Sequence, residues 1–294
     1  MMKVLVLGAN GQLGRCLADQ LAGTNHAVTL ASRAEINLAD FETTRAALVS
    51  LEADVVINAS AYTAVDKAED ETEQANLINN LAVGNVANVC AEIGAVLVHV
   101  STDYVFDGEA TISYGEAAVT NPQGVYGQTK LLGELAVQES GCNHLIIRTA
   151  WVFSEYGNNF LKTMLRLAEG RDSLSIVSDQ IGCPTYAQDI AKAIVKILSG
   201  IESNNQNWGL YHYCGDQSTT WFGFADAIFE QAVAADLISS GPALTPISTA
   251  EFPTPAKRPA FSALDSGKIM NDWAVQSSDW MSAIKVVISK LKSI

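Results

Sequence analysis

Tyr126 and Lys130 stand four residues apart in the stretch Tyr126-Gly127-Gln128-Thr129-Lys130. On a helix this spacing puts a phenol and an ammonium on one face. A phenol ordinarily titrates near pH ~10, and a cation within ~4–6 Å lowers that by ~1–3 units. Such a pair suits proton exchange with a substrate oxygen near neutral pH. The same spacing also arises by chance on solvated helices, so by itself it defines no site. Ser101-Thr102-Asp103-Tyr104 follows an apolar, strand-like run, Ala95 to Val100. In a doubly wound sheet the carboxyl ends of the strands face the ligand crevice. A hydroxyl of this stretch, with Tyr126 and Lys130, thus makes a candidate catalytic set.

A second pattern speaks to a cofactor. Gly8-Ala9-Asn10-Gly11-Gln12-Leu13-Gly14 lies straight after the β-branched and apolar run Lys3 to Leu7 and straight before a helical pattern with Leu13, Leu17 and Leu21 in phase. Glycines at 8, 11 and 14 permit a tight turn and let backbone amides reach a pyrophosphate at a helix N-terminus. The spacing is GxxGxxG rather than GxGxxG, so the context carries the reading: strand, turn, helix. At the end of the next strand, where NAD sites place a carboxylate, the chain has Ala31-Ser32-Arg33. Two readings of Arg33 stand: a partner for a 2′-phosphate, which favours NADPH over NADH, or a solvent-facing loop residue. Asp40 is likewise either a contact to the adenine edge or the N-cap of its own helix.

These groups need a sheet to hold them. Strand patterns at Lys3–Leu7, Ala27–Ala31, Asp54–Ala59, Ala95–Val100 and Asn143–Arg148 alternate with helical ones at 15–21, from Asp40, at Glu73–Ile93 and at Tyr126–Glu139. That order predicts a parallel, doubly wound sheet with right-handed crossovers. Further on, Phe160–Ala168, Ala187–Leu198, Thr220–Val233 and Trp280–Leu291 read as helices, with short strands at Leu174–Val177 and Gly209–Cys214. Pro242–Pro259 carries five of the seven prolines and reads as a loop region. The fold class is α/β: a doubly wound, Rossmann-like sheet with a smaller α/β substrate lobe. The dinucleotide-binding part is 1–150 plus about 175–200, and the lobe is 151–174 and 201–294.

Composition narrows the class. The 294 residues are 48% hydrophobic and carry a formal charge of −14. An acidic chain with a pI of about 4.6 repels phosphate backbones and anionic bilayers, so no nucleic-acid or membrane partner is expected. Five cysteines without a CxxC pair read as reduced thiols of a cytoplasmic protein. The apolar run Val4–Leu7 is too short for a signal-peptide core. His26, His99, His144 and His212 show no ligand spacing and read as strand, surface or packing residues. Trp221, Trp273 and Trp280 read as packing.

With GxxGxxG, the hydroxyls after the fourth strand and YxxxK together, the chain resembles the extended short-chain dehydrogenases/reductases. Narrower strings resemble the dTDP-4-dehydrorhamnose reductase family: Asn58 to Glu69, Ser101 to Gly108, Arg148 to Val152, Gly157 to Phe160, Asp179 to Thr185 and Thr254 to Pro259. The likeness runs from the first strand almost to the C-terminus. It implies reduction of the 4-keto group of dTDP-4-dehydro-β-L-rhamnose to dTDP-L-rhamnose. It implies Tyr126 as proton donor, Lys130 as its modulator and ribose ligand, and Thr102 at the substrate carbonyl. Asp103 and Tyr104 would lie near the sugar and Trp151 would shape its pocket. Gly11, Gln12 and Leu13 would contact the cofactor phosphates, and Asp40, Phe41, Ala61, Tyr62 and Thr63 would line the rest of that site.

Some family members are magnesium-bridged dimers that use a glutamate early in the first helix. Arg15 and Cys16 stand there in this chain, and neither is a hard-oxygen ligand, so no metal site is carried over. Whether magnesium accompanies the substrate, and whether the chain is a monomer or a homodimer, stay open. Lys257-Arg258 is either a solvated loop pair or the cations that hold the sugar-nucleotide diphosphate. Two other functions compete: a non-catalytic NADP-binding regulatory subunit, and an epimerase or dehydratase of the same superfamily. The intact Thr102, Tyr126 and Lys130 count against the first. Asp103 followed by Tyr104, rather than an Asp-Glu pair, counts against a dehydratase.

Overall fold

Continuous apolar runs become strands covered on both faces. In the computed structural model, which describes residues 1–293, β1 (Lys3–Leu7) turns into α1 (Gln12–Leu21), followed by β2 (Ala27–Ala31), α2 (Phe41–Leu51) and β3 (Val55–Asn58). Short helices α3 (Val65–Ala68) and α4 (Thr72–Asn76) and a π-helical turn, Leu77–Leu81, lead to α5 (Ala82–Ile93), β4 (Val96–Thr102), α6 (Val125–Glu139) and β5 (His144–Thr149). Next come β6 (Val152–Phe153), α7 (Phe160–Ala168), β7 (Ser173–Val177), β8 (Ile181–Gly182), β9 (Thr185–Tyr186) and α8 (Ala187–Glu202). The chain ends with β10 (Gly209–His212), β11 (Thr219–Thr220), α9 (Trp221–Ala234), β12 (Ala243–Ile247), α10 (Gly267–Trp273) and α11 (Trp280–Lys292).

Six strands form one sheet in the order β10-β5-β4-β3-β1-β2, every neighbouring pair parallel. Winding reverses between β1 and β3, so a crevice opens beyond their carboxyl ends. One face packs against α1 and α8 through Leu13, Leu17, Ile190 and Ile194. The other packs against α2 and α5 through Leu48, Val83 and Val86. A separate core, Phe153, Leu161, Phe224, Ile228, Ile284 and Val287, gathers α7, α9 and α11. The doubly wound parallel sheet is the predicted one.

Three readings of the sequence need correction. The stretch Glu73–Ile93 is not one uninterrupted helix. It passes through the π turn, where the Asn79 carbonyl comes so close to α6 that a Cβ at Gly133 would lie 2.1 Å from it. The Asn79 amide group bonds outside its own helix, to the Tyr62 backbone and Thr129, which accounts for the local change of pitch. Pro242–Pro259 is not all loop. Ala243–Ile247 pairs in parallel with β7, and a 3₁₀ turn at Thr249–Glu251 follows. Pro246 is tolerated because a two-stranded ribbon is all edge. Gly209–His212 lies in the portion assigned to the smaller lobe, yet it is the sixth strand of the main sheet.

One polar contact crosses the core. Glu134 of α6 receives two hydrogen bonds from Arg148 of β5: Nε to Oε1 at 2.9 Å and a terminal guanidinium nitrogen to Oε2 at 2.6 Å. Both side chains are buried, and Ser101 of β4 also donates to Glu134. The Arg148 guanidinium lies over the Phe106 ring, and His212 of β10 accepts from it at 3.5 Å. Burial, with Arg148 adjacent, lowers the His212 imidazole to about 3, so it stays neutral beside the cation. Removing one partner strands a buried charge, at a cost of ~3–5 kcal/mol. Glu134→Gln and Arg148→Met should each lower the unfolding free energy by that order in urea titrations, and the double variant by clearly less than their sum. Single losses under ~1 kcal/mol would show that the pair does not lock α6 to the sheet.

Candidate active site

The crevice begins at the glycine turn. Gly8 follows β1 with φ +81°, and a Cβ there would meet the Ala59 and Ser60 backbone at 2.9 Å. A Cβ at Gly14 would lie 2.2 Å from the Gly8 carbonyl, so this glycine lets α1 press onto the turn. Gly11 is the N-cap of α1, with no side chain capping the first amides. A backbone cradle that any side chain would fill, at an uncapped helix start, fits a dinucleotide pyrophosphate.

A cavity of about 660 Å³ runs from this turn along the carboxyl ends of β1, β3, β4 and β5. Gly8, Gly11, Gln12, Leu13, Arg33, Ala61 and Thr63 line one side of it, and Thr102, Asp103, Tyr104, Tyr126, Lys130 and Trp151 the other. Six residues named from sequence do not line it: Gly14, Asp40, Phe41, Tyr62, Lys257 and Arg258. Asp40 accepts from the Thr43 amide as the N-cap of α2, and Phe41 packs on the core beneath. The Tyr62 hydroxyl donates to Glu71 at 2.8 Å. Lys257 donates to Gln123, and Arg258 pairs with Asp66 at 2.9 Å. The Gln12 side chain ties down a distant loop, accepting from Ser154 at 3.0 Å and Asn159 at 2.9 Å.

Burial sets the charges at the reacting end. Thr102 Oγ1 donates to Asp103 Oδ1 at 2.9 Å, and desolvation raises the Asp103 carboxyl to about 6. The Tyr104 ring meets Tyr126 edge-on at 5.4 Å. Burial pushes the Tyr126 phenol well above its ordinary range, against a smaller opposing pull from the Thr102 hydroxyl. The neighbouring Lys130 was expected to lower it, but desolvation wins. A phenol held firmly protonated is suited to giving a proton rather than taking one. Burial lowers Lys130 to about 8, against a smaller raising effect of Glu134.

Several residues that hold the site escaped the sequence reading. Tyr126, Lys130 and Glu134 share one helix face at i, i+4 and i+8, a spacing already present in the sequence. His99 shares a face of β4 with Ser101 and reaches Lys130 of α6. Asn79 fastens the 61–63 segment to α6 by bonding the Tyr62 amide and carbonyl and Thr129. Trp221 packs, as expected, but on Trp151: the rings stack at 3.5 Å with 6° between planes. Nothing local in the sequence signals that contact.

A parallel doubly wound sheet with Thr102, Tyr126 and Lys130 around the crevice at its carboxyl edge bears out the likeness to the extended short-chain dehydrogenases/reductases. The chain belongs to the RmlD substrate binding domain family, whose model matches residues 2–293. It is 42% identical over 287 residues to a dTDP-4-dehydrorhamnose reductase of Aggregatibacter actinomycetemcomitans, covering 97% of this chain and 98% of that protein. The crystal structure of a dTDP-4-dehydrorhamnose reductase of Clostridium acetobutylicum superposes with a TM-score of 0.91 at 37% identity, over 99% of this chain and 100% of that one. The enzyme of the same name from Bacillus anthracis, solved in complex with NADP, gives 0.91 at 33% identity over 98% and 99%. Among the described residues no helix is long and apolar enough to cross a membrane, and no group of three or more His, Cys, Asp or Glu side chains could hold a metal ion. Cys16, early in α1, is buried.

Trp151 holds φ +47°, a left-handed backbone that costs a non-glycine residue ~1–3 kcal/mol. Its ring lies on the Gly182 backbone, where a Cβ would come within 2.4 Å. Gly182→Ala should therefore unseat Trp151 from Trp221, abolishing the near-ultraviolet circular dichroism of the stacked indoles while the far-ultraviolet spectrum stays. An unchanged near-ultraviolet band would place the Trp151 ring elsewhere.

Proposed function

We propose that the chain reduces the 4-keto group of dTDP-4-dehydro-β-L-rhamnose to give dTDP-L-rhamnose, using NADPH, as the last step of dTDP-rhamnose biosynthesis. The observation that carries this reading is a protonated phenol, a hydroxyl and a lysine gathered in the same cavity as a pyrophosphate-fitting glycine turn. The names of the relatives supply the substrate, and the NADP in the Bacillus anthracis structure supports NADPH over NADH. Arg33, exposed at the mouth of the cavity, is free to pair with a 2′-phosphate.

When bound, the dinucleotide supplies the hydride. The chain's own residues do the rest. The 8–14 turn and the first amides of α1 hold the pyrophosphate, with Ala61 and Thr63 along the same wall. Tyr126, and Thr102 once its hydroxyl turns away from Asp103, donate hydrogen bonds to the ketone oxygen, where negative charge develops. Tyr126 then gives up its proton, and a charged Lys130 one helical turn away stabilises the phenolate left behind. Tyr104, Asp103 and Trp151 wall the sugar. Lys257 and Arg258 stand on a loop braced by Pro253, Pro255 and Pro259. Arg258 Nε is buried with no partner, which leaves a donor for a phosphate oxygen that would compete with Asp66.

An assay of NADPH oxidation with the 4-keto sugar nucleotide tests the reading directly, and no turnover would end it. Tyr126→Phe should lower kcat by ~10²–10⁴-fold while NADPH still binds. Turnover like that of the unmodified protein would remove Tyr126 from its role. Arg258→Ala should raise KM for the sugar nucleotide by the equivalent of ~1.5–3 kcal/mol, leaving KM for NADPH and kcat nearly unchanged. Equal losses for both ligands would move the diphosphate contact elsewhere.

A further inference from the structure

The hydrogen bonds beneath Lys130 do not balance if that side chain is an ammonium. The Ser60 amide donates to Asn58 Oδ1 at 3.1 Å, which fixes the orientation of the Asn58 amide group. Its Nδ2 therefore donates, and its partner at 3.2 Å is His99 Nδ1, an acceptor. Turning the amide over would set Nδ2 against the Ser60 N–H, donor against donor. A neutral imidazole carries one N–H, so in His99 that proton is on Nε2. Nε2 lies 3.3 Å from Lys130 Nζ, and Nζ also donates to the Val100 carbonyl at 2.7 Å. An ammonium has no lone pair with which to accept the His99 proton, whereas an amine has one.

We propose that, with no dinucleotide bound, His99 donates to Lys130 and holds it as the uncharged amine in mildly alkaline solution, and that dinucleotide binding there draws a proton from solvent onto Lys130. His99 is thus a positioning residue that sets when the lysine carries charge. Both side chains are buried, His99 completely. Desolvation holds the imidazole well below its ordinary range, so it does not take the second proton itself. The other ionisable groups around Lys130 do not replace the missing charge. Glu134, one turn along α6, is taken up by Arg148 of β5. Tyr126, one turn the other way, and Tyr104, after β4, are phenols raised by burial, and Asp103, beside Tyr104, bonds Thr102. A dinucleotide brings anionic phosphates and hydroxyl acceptors into the cavity that Lys130 lines, and both favour the ammonium. Protonation replaces the Nζ lone pair with a third N–H. The His99 contact is then donor to donor, and the lysine is released toward the cavity.

The inference rests only on the dinucleotide part of the functional reading, so failure of the sugar-nucleotide assay and failure here are separable. Protein labelled with ¹³C at lysine Cε is titrated by NMR, with the Lys130 signal identified by its loss in Lys130→Arg. In the free protein this signal should have its midpoint near 8, while surface lysines titrate above ~10. Saturating NADP⁺ should raise that midpoint by at least one unit. Calorimetry of NADP⁺ binding at pH 8.5, in buffers of different ionisation enthalpy, should show uptake of several tenths of a proton per site. His99→Gln, which can offer a carbonyl oxygen in place of the imidazole N–H, should raise the free-protein midpoint by a unit or more. A Lys130 midpoint above 10 in the free unmodified protein overturns the proposal, as does one near 8 that NADP⁺ leaves in place. The calorimetry needs no variant, and binding of NADP⁺ at pH 8.5 without proton uptake overturns the proposal as well.

Discussion

The buried Glu134–Arg148 pair is the constraint on which the site depends. Apolar contacts set a helix's roll on a sheet only through the fit of its side chains. A two-pronged ionic bond into β5, with Ser101 of β4 donating to the same carboxylate, adds a directional hold. Because Tyr126, Lys130 and Glu134 share one face, fixing the third fixes the heading of the first two. Asn79 acts on the same helix from the far side, bonding Thr129, while Gly133 lets the π turn close against α6. The reacting groups are therefore held by contacts that never touch a ligand, the condition for preorganised catalysis.

A single physical cause, removal from water, sets three protonation states in the cavity. It raises Tyr126 and Asp103 and lowers Lys130, in each case toward the uncharged form. Only the phenol stays uncharged across the whole neutral range; Asp103, at about 6, and Lys130, at about 8, are brought close enough to neutrality for a bound ligand to tip them. Charge is then needed at few points, chiefly Arg33 at the rim and Arg258 behind Asp66.

The sheet was legible because strands buried on both faces carry an apolar run, as β1, β3, β4 and β5 do at Val4–Leu7, Val55–Ile57, Val96–Val98 and Leu145–Ile147. The Asp40 cap and the Tyr126–Lys130 spacing were legible because each is a local rule. The π turn was not, since the contacts that hold it, from Asn79 to Tyr62 and Thr129, join residues far apart in the chain. β12 was hidden by Pro246, which reads as a breaker unless the strand is known to be an edge. His99 looked inert because its meaning lies in the Lys130 side chain opposite, 31 residues on. The Trp151–Trp221 stack joins positions that no periodicity relates. Sequence patterns, then, gave the elements and the reacting groups, while the partners that orient those groups lie across tertiary contacts.

The late arrival of β10 bears on how the chain comes together during synthesis. The other five sheet strands are complete by Thr149, but Gly209–His212 is made some sixty residues later, judged from the positions of β5 and β10. Until then β5 is a bare edge whose Leu145-Ile146-Ile147 backbone is open to any other strand. The Arg148 guanidinium meanwhile lacks its His212 neighbour. A nascent chain paused in that window exposes an apolar strand edge, the kind of surface on which growing chains stick to one another and which chaperones shield. Closing that edge ties the end of aggregation risk in the first half of the chain to translation of the second.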